Sequence, residues 1–322
     1  MIKSIQLNFT KIKYAGNSVG RDIRVEVEAF GKFFRVDKRI KAGETKSIDQ
    51  EILRLETVQD VLQSDLAINV IEKDLLFSDT GSLKSSIKID VVSEKSQILR
   101  FNVEVMESRS LLSKLFWGGR KAIFELEFEA IIGDVERYIP DTKDGWFLTL
   151  NNKDGNTSLP EYLKLILRYK KGGREYFMLT EGVNMGELWS VTLKNDGSSY
   201  LISDVQHGPM AQATYSISRK ILTLNGINYK AADDPKNPWD KGVYDIEIPD
   251  YPHGGGLRYS EAKKGTVWFR IGHDDSRYLH PGLVSAGCIS IAETERWMEI
   301  YSILIKARKG DNRSVGVLKV ID

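Results

Sequence analysis

The chain has 322 residues, 41% of them hydrophobic, which is enough apolar material for at least one large core and points to two or three domains. Its 46 basic and 45 acidic side chains nearly cancel to a net charge of +1, so composition argues against nucleic acid or an acidic membrane surface as the main partner. A single cysteine rules out an intramolecular disulfide and leaves the redox compartment open.

The start of the chain, Met1 to Thr10, lacks the continuous apolar core of a secretory signal, and no run approaches the ~18 apolar residues of a membrane span. The first segment alternates apolar and polar residues. Ile23, Val25 and Val27 do so, as do Ile68 and Val70, Ile87 and Ile89, Val103 and Val105, and Phe124, Leu126 and Phe128. This period of two is that of antiparallel strands with one solvated face, and several of them predict a β-sandwich over 1–135. No proline precedes Pro140 and all eight lie from there on, a shift that places a domain boundary near Gly133 to Gly145.

Within the first segment, Ile71 to Gly81 is weakly similar to a calcium-binding loop of C2 domains, with Asp74 and Asp79 as the oxygen ligands. The plainer reading is a solvated loop closed by an Asp79-Thr80-Gly81 turn, and no metal site is assigned. Leu111 to Gly119 is apolar without a clear period. It predicts a loop tucked over the sandwich, the alternative being an exposed anchor for a protein or membrane. By architectural analogy, a sandwich ahead of a second domain is expected to serve protein or membrane docking.

Residues 136–210 form a β-rich linker or accessory region. Leu163, Leu165, Leu167 and Tyr169 alternate, Lys171-Gly172-Gly173-Arg174 turns the chain, and Tyr176, Phe177 and Met178 return. A second hairpin is expected with Val191 and Leu193 before Asn195-Asp196-Gly197 and with Tyr200 and Ile202 after it. His207 reads as a loop residue. Residues 211–322 hold the chemistry. Ile221 to Tyr229 is a tight hairpin through Asn225-Gly226, and Glu293 to Lys309 reads as a helix with Trp297, Ile300, Tyr301, Leu304 and Ile305 on one face. Thr294 is its expected N-cap and Gly310 its stop. This face is expected to pack under the turn at Cys288. Val315, Val317 and Val320 predict a last strand.

The stretch Tyr278-Leu279-His280-Pro281-Gly282, followed by Ser285-Ala286-Gly287-Cys288-Ile289, carries the strongest signal. A thiolate nucleophile needs a nearby base, and its attack on a carbonyl needs backbone N–H groups to hold the oxyanion. Gly287 permits a tight turn that leaves such groups uncovered. This stretch resembles the signature of the L,D-transpeptidase (YkuD-like) family, in which a strand ends in His-Gly and a loop leads to Ser-x-Gly-Cys. Asn237 to Ile246 and Val267 to Ile271 are similar to further segments of that family. The resemblance covers about the last third of the chain. The chain departs from the pattern in its shorter His-to-Cys loop, at Pro281, at Ala286, where the family has His, Lys or Arg, and at Ser290, where it has Arg or Asn.

The alternation, the helical period and the resemblance together predict a mainly β fold: a sandwich, then a β-rich L,D-transpeptidase-like catalytic domain with a C-terminal helix. The resemblance implies a cysteine peptidoglycan L,D-transpeptidase or L,D-carboxypeptidase that forms a thioester with stem peptides and needs no cofactor. Cys288 would be the nucleophile and His280 the base, with His273, fifteen positions before the cysteine, as the alternative base. Gly287 and Cys288 would supply oxyanion N–H groups, and Ser285 would steady the imidazole or the turn. Arg270 and Arg277 would meet substrate carboxylates, for which a planar guanidinium is suited, or equally sit in surface ion pairs. Tyr251, His253, Trp268 and Tyr278 would line the substrate groove. A zinc site built from His253, His273, His280 and Cys288 lacks the paired ligand spacing such sites use. Competing readings are a non-catalytic cell-wall or partner-binding protein, and a cell-wall-targeting toxin effector. Without a visible Sec signal, the expected location is the envelope or the exterior by a signal-independent route, otherwise the cytoplasm.

Overall fold

A computed structural model describes residues 1–73, 78–93, 95–106, 121–151, 155–273 and 276–322. Asp74 and the stretch Leu111 to Gly119 lie outside the described residues. The fold is mainly β, as the alternation predicts. The chain divides into two compact units, Met1–Val135 and Glu136–Asp322. The second contains both the expected accessory region and the expected catalytic domain.

The first unit is a sandwich of antiparallel sheets. Its strands are β1 (Lys3–Gly16), β2 (Asp22–Ala29), β3 (Lys32–Arg39), β4 (Thr45–Thr57), β5 (Val61–Glu72), β6 (Thr80–Asp90), β7 (Gln97–Met106) and β8 (Lys121–Tyr138). One sheet runs β4-β1-β8-β7 and the other β3-β2-β5-β6. Ile23, Val25 and Val27 from one sheet and Phe124, Leu126 and Phe128 from the other are buried in a common core. Phe9 stacks on Phe128 at 4.9 Å between ring centroids and meets Phe34 edge-on at 6.1 Å. Each such pair contributes about 0.5–1.5 kcal/mol beyond its buried area.

Among the described residues the second unit holds two larger sheets and a two-stranded pair. Strands β9 (Trp146–Asn151), β10 (Gly155–Pro160), β11 (Lys164–Lys171), β12 (Arg174–Leu179) and β13 (Leu188–Thr192) form an antiparallel sheet in the order β10-β9-β13-β12-β11. The Gly172-Gly173 turn joins β11 and β12 as expected, both glycines having positive φ. The expected return strand after Asn195 does not form: Tyr200 is exposed, and Ile202 makes a lone bridge to Tyr138.

A short parallel pair, β14 (Gly208–Pro209) and β22 (Ala307–Arg308), stands apart. The remaining strands are β15 (Ala211–Ser216), β16 (Ile221–Leu224), β17 (Ile227–Ala232), β18 (Gly242–Glu247), β19 (Phe269–Arg270), β20 (Tyr278–Pro281), β21 (Ile289–Ile291) and β23 (Ser314–Ile321). They form a sheet in the order β18-β23-β15-β16-β17-β21-β20-β19. A bridge between Ile246 and Ile271 brings its two ends together, so the sheet is nearly a barrel. Asn225 and Gly226 make the β16–β17 turn with positive φ at both positions, the geometry a two-residue hairpin demands.

The helix is shorter than its apolar period predicts. α1 spans Trp297–Leu304 behind a 3-10 turn at Thr294–Arg296, and its buried face is Trp297, Ile300, Tyr301 and Leu304. Beyond it the chain turns into β22. Arg308 is captured there by Glu181 at 3.0 Å and by the carbonyls of Tyr162, Ile305 and Ala307. Thr294 does not cap the helix; its hydroxyl donates to Glu261 at 2.6 Å. Trp297 and Tyr301 pack on Phe269 of β19, with centroids 6.1 and 6.5 Å away. Among the described residues no helix is long and apolar enough to cross a membrane.

A buried ionic cluster pins α1 to the first of these sheets. Glu161, 1% exposed, accepts from Lys264 Nζ at 2.7 and 2.8 Å, from the Thr142 N–H at 2.6 Å and from the Tyr301 hydroxyl. Burial opposes the charge on Lys264, but the bonds to Asp141 and Glu161 outweigh it and hold the ammonium above its usual range. Burial first, and then Glu161, push the Tyr301 phenol far up. Removing one partner of such a pair strands a charge in the interior. Lys264→Met is therefore expected to cost about 3–5 kcal/mol of unfolding free energy in urea. The double substitution Glu161→Leu/Lys264→Met should recover much of that loss, and a single variant as stable as wild type would refute the assignment.

Candidate active site

The site is built where β20 lies between β19 and β21. β19 and β20 pair antiparallel, Phe269 to Leu279 and Arg270 to Tyr278. β20 and β21 pair parallel, Leu279 to Ile289, His280 to Ser290 and Pro281 to Ile291. Cys288 directly precedes β21, two residues before Ser290. The alternation of side chains along a strand carries residues 278 and 280 to one face, with Ser290 opposite His280.

The turn into Cys288 is held from both sides. Gly287 has φ +120°, and a Cβ there would drive into Asn237 Nδ2. Asn237 Nδ2 donates to the Ala286 carbonyl at 3.2 Å. Ser285 Oγ donates to the Cys288 carbonyl at 2.7 Å and accepts from the Gly287 N–H at 3.1 Å. Of the two roles foreseen for Ser285, the structure places it in the turn and not on the imidazole. The Gly287 N–H, expected to face an oxyanion, is occupied by that hydroxyl.

Cys288 is half-buried. Its Sγ accepts from the Tyr278 N–H at 3.4 Å. Burial pushes the thiol up, and the Tyr278 N–H and Arg277 only partly offset this. His280 is buried. Nδ1 lies 2.9 Å from the Pro281 carbonyl, which can only accept, and Nε2 lies 3.2 Å from Ser290 Oγ. Burial pushes this imidazole down, the Pro281 carbonyl opposes the shift, and His253 adds to it. Among the described residues no hydrogen bond joins either candidate base to Cys288. His273 is engaged elsewhere, with Nδ1 2.7 Å from Glu247 Oε1 and Nε2 2.9 Å from Asp245 Oδ2.

An aromatic stack continues from His280. The Trp268 indole lies between two imidazoles, 4.1 Å from His280 and 4.4 Å from His253. The exposed Tyr251 ring covers the far side of His253 at 4.3 Å. Asp250 accepts from His253 Nε2 at 3.1 Å and from the Tyr278 hydroxyl at 2.9 Å. Burial acts against the Asp250 charge, but the bonds from His253, the Tyr251 N–H and Tyr278 hold its carboxyl below the usual range. His253, foreseen on a mobile groove segment, is thus a wall residue only 8% exposed. Among the described residues no group of three or more His, Cys, Asp or Glu side chains is placed to hold a metal ion.

Both arginines foreseen as carboxylate binders are committed within the fold. Arg270 forks onto Glu247, with Nη2 2.9 Å from a carboxylate oxygen, and donates to the His273 carbonyl at 3.1 Å. Arg277 donates to Asn237 Oδ1 at 2.6 Å and to the Pro238 carbonyl at 3.1 Å, and lies over Trp239 at 4.7 Å. Sequence reasoning missed Ser290, Asp250 and Asn237. For Ser290 a signal existed, since it stands two positions after the cysteine and so shares its face of a strand. For Asn237 there was none.

The turn generates a direct test. Gly287→Ala meets both a positive φ and the Asn237 amide, and strain of this kind costs about 1–3 kcal/mol. Its melting temperature should fall, and Gly287→Ala/Asn237→Ala should recover part of the loss because the collision goes while the φ strain stays. Equal losses in the single and double variants would show that Asn237 is not the obstacle.

No protein-family model matches the chain, and no curated protein matches it. The L,D-transpeptidase resemblance therefore stands on the residues of its motif alone. Among solved structures, a C2 domain of plant Extended Synaptotagmin 1 aligns with TM-score 0.25 and 11% identity, covering 40% of this chain and 92% of that one. Human GIVD cytosolic phospholipase A2 aligns with TM-score 0.26 and 10% identity, covering 61% of this chain and 31% of that one. The chain thus spans under a third of that phospholipase. These matches amount to a weak structural similarity of a β-sandwich region to C2 domains.

Proposed function

We propose that the second unit is a cysteine acyltransferase of the L,D-transpeptidase kind, acting on the stem peptides of peptidoglycan. The supporting observation is the register of β20 and β21, which pairs His280 with Ser290, two residues after the half-buried Cys288, whose Sγ meets the N–H of Tyr278, two residues before His280. In the proposed reaction the Cys288 proton passes to His280 Nε2 as the sulfur bonds to a peptide carbonyl carbon. With the Gly287 N–H taken by Ser285, the Cys288 N–H holds the oxyanion. Collapse breaks the C–N bond, His280 returns the proton to the departing amine, and a thioester remains. An amine acceptor completes transpeptidation, and water gives carboxypeptidase activity. Catalytic hydrogen bonds are commonly long without substrate and tighten with it, which accommodates the unbonded thiol and imidazole. The sandwich would serve as a docking module for a protein or a membrane.

One observation favours a second reading. Burial moves the thiol up and the imidazole down, so neither is poised as an ion. A non-catalytic cell-wall-binding protein, or an effector that needs its target to complete the site, fits that state as well.

Incubation with a carbapenem or a stem tetrapeptide, followed by intact-mass measurement, separates the readings. Wild type should gain one acyl group and Cys288→Ala none, with its circular dichroism unchanged. Because the imidazole is pushed below its ordinary value and must be neutral to take the thiol proton, the acylation rate should rise with pH through the imidazole midpoint and stay level from there towards neutral pH. Absence of any adduct, together with unaltered muropeptides, would leave the binding module.

A further inference from the structure

Ser290 has no part in the chemistry above, yet its hydroxyl lies between two acceptors. Oγ is 3.2 Å from His280 Nε2 and 3.2 Å from the Val284 carbonyl. The residue is fully buried, and its strand is paired on both sides, to His280 of β20 and Ala232 of β17. The hydroxyl is therefore fixed in place, and what it can still do is rotate its hydrogen. A serine has one hydrogen to donate and two lone pairs to accept with. It can serve only one of the two acceptors at a time.

The Pro281 carbonyl decides the tautomer. It accepts from Nδ1, so Nε2 of the neutral ring is a bare lone pair. Ser290 then donates to Nε2, and the Val284 carbonyl goes without that hydrogen. When a proton reaches Nε2 the direction reverses: Nε2–H donates to Oγ, and the hydroxyl hydrogen turns to Val284. The Ser290 O–H bond is never broken and no heavy atom has to move.

We propose that Ser290 is a positioning residue that couples the protonation of His280 to the tethering of the 282–287 loop, through a hydroxyl that donates to the neutral ring and, once the ring is charged, accepts from it and ties down the Val284 carbonyl. The proposal rests on the reading of His280 as the base. The loop concerned leads into Cys288 and carries the exposed side chains of Leu283 and Val284. Other groups face the ring as well. Trp268 covers one side, with His253 behind it held by Asp250, and the Tyr278 ring meets His253 and Trp268. Of these, His253 disfavours a charge on His280. A hydrogen bond from a charged donor is roughly twice as strong as a neutral one, so the hydroxyl stabilises the imidazolium more than the imidazole.

Nitrogen-15 NMR of the full chain, labelled at histidine, tests this. Wild type should show His280 with hydrogen on Nδ1 when neutral. Ser290→Ala should lower the imidazolium-to-imidazole ratio of His280 at least threefold at fixed pH, moving its midpoint down, while Ser290→Thr keeps the hydroxyl and the midpoint. Amide exchange of residues 283–287, corrected for intrinsic rates, should be slower below the wild-type midpoint than above it, and Ser290→Ala should lose that difference. An Nε2–H tautomer, an unmoved midpoint in Ser290→Ala, or exchange indifferent to the midpoint in wild type would each overturn the proposal. The wild-type measurements decide the matter even if the alanine variant fails to fold. Cys288 acylation is read separately: a missing acyl adduct beside the expected His280 behaviour removes the base reading and leaves the hydroxyl coupling supported.

Discussion

Strands β20 and β21 run parallel and adjacent, yet only residues 282–288 connect them. Parallel neighbours ordinarily need a crossover of roughly a dozen residues or more, because the chain must travel back the full length of a strand. Here the strands are three or four residues long, and the return is made by sharp turns instead. Gly282 and Gly287 supply φ values of +154° and +120°, which side-chain-bearing residues rarely adopt. Ser285 closes the second turn on itself, while Tyr259 donates nothing to the return but accepts from the Leu283 N–H at 3.2 Å. The position of Cys288 relative to His280 follows from that compressed connection. A longer loop would leave the register free to slip by a residue and turn one of the two side chains to the opposite face.

The same compression explains why the nearby charges are spoken for. The turn has no room for a side chain at Gly287, so its outer wall is the Asn237 amide, and Arg277 holds that amide from behind. Arg270 is tied to Glu247, which is nearly inaccessible and also faces His273. Arg270 satisfies a carboxylate that would otherwise be stranded in the interior, and a buried ion pair is costly to break. Among the described residues, the surroundings of His280 are the Trp268 ring with His253 behind it and the hydrogen-bonded carboxylate of Asp250.

Much of the fold was legible because burial in strands has a period of two. Ile23, Val25 and Val27 announce their face without any tertiary information, and Asn225-Gly226 announces a hairpin through its φ requirements alone. The helix was over-extended because periodicity counts Ile305 as part of the apolar stripe. It has no means of knowing that Arg308 is drawn into a cluster with Glu181, distant in sequence. The Ser285 turn lies within three residues of chain and could be read as a local hydroxyl-to-backbone motif. The partners of Arg270 and Arg277 lie 23 and 40 residues away, and no local rule reaches that far. The contact of Ser290 with His280 depends on register, which the sequence leaves open for strands this short.

On the proposed reading, the electrostatics favour one order of events over another. A cysteine hydrolase with a preformed thiolate–imidazolium pair needs the thiol lowered and the imidazole raised. Burial here moves both the opposite way, and Ser290 and Pro281 occupy the two ring nitrogens while the sulfur rests on a backbone N–H. The neutral pair is then the resting state, and separating charge in advance would cost free energy that nothing at the site returns. Proton transfer becomes favourable only as the sulfur begins to bond to carbon, when the developing imidazolium gains the Ser290 oxygen as an acceptor and the oxyanion gains the Cys288 N–H. The imidazole thus acts as a general base during attack and not as the partner of a standing thiolate.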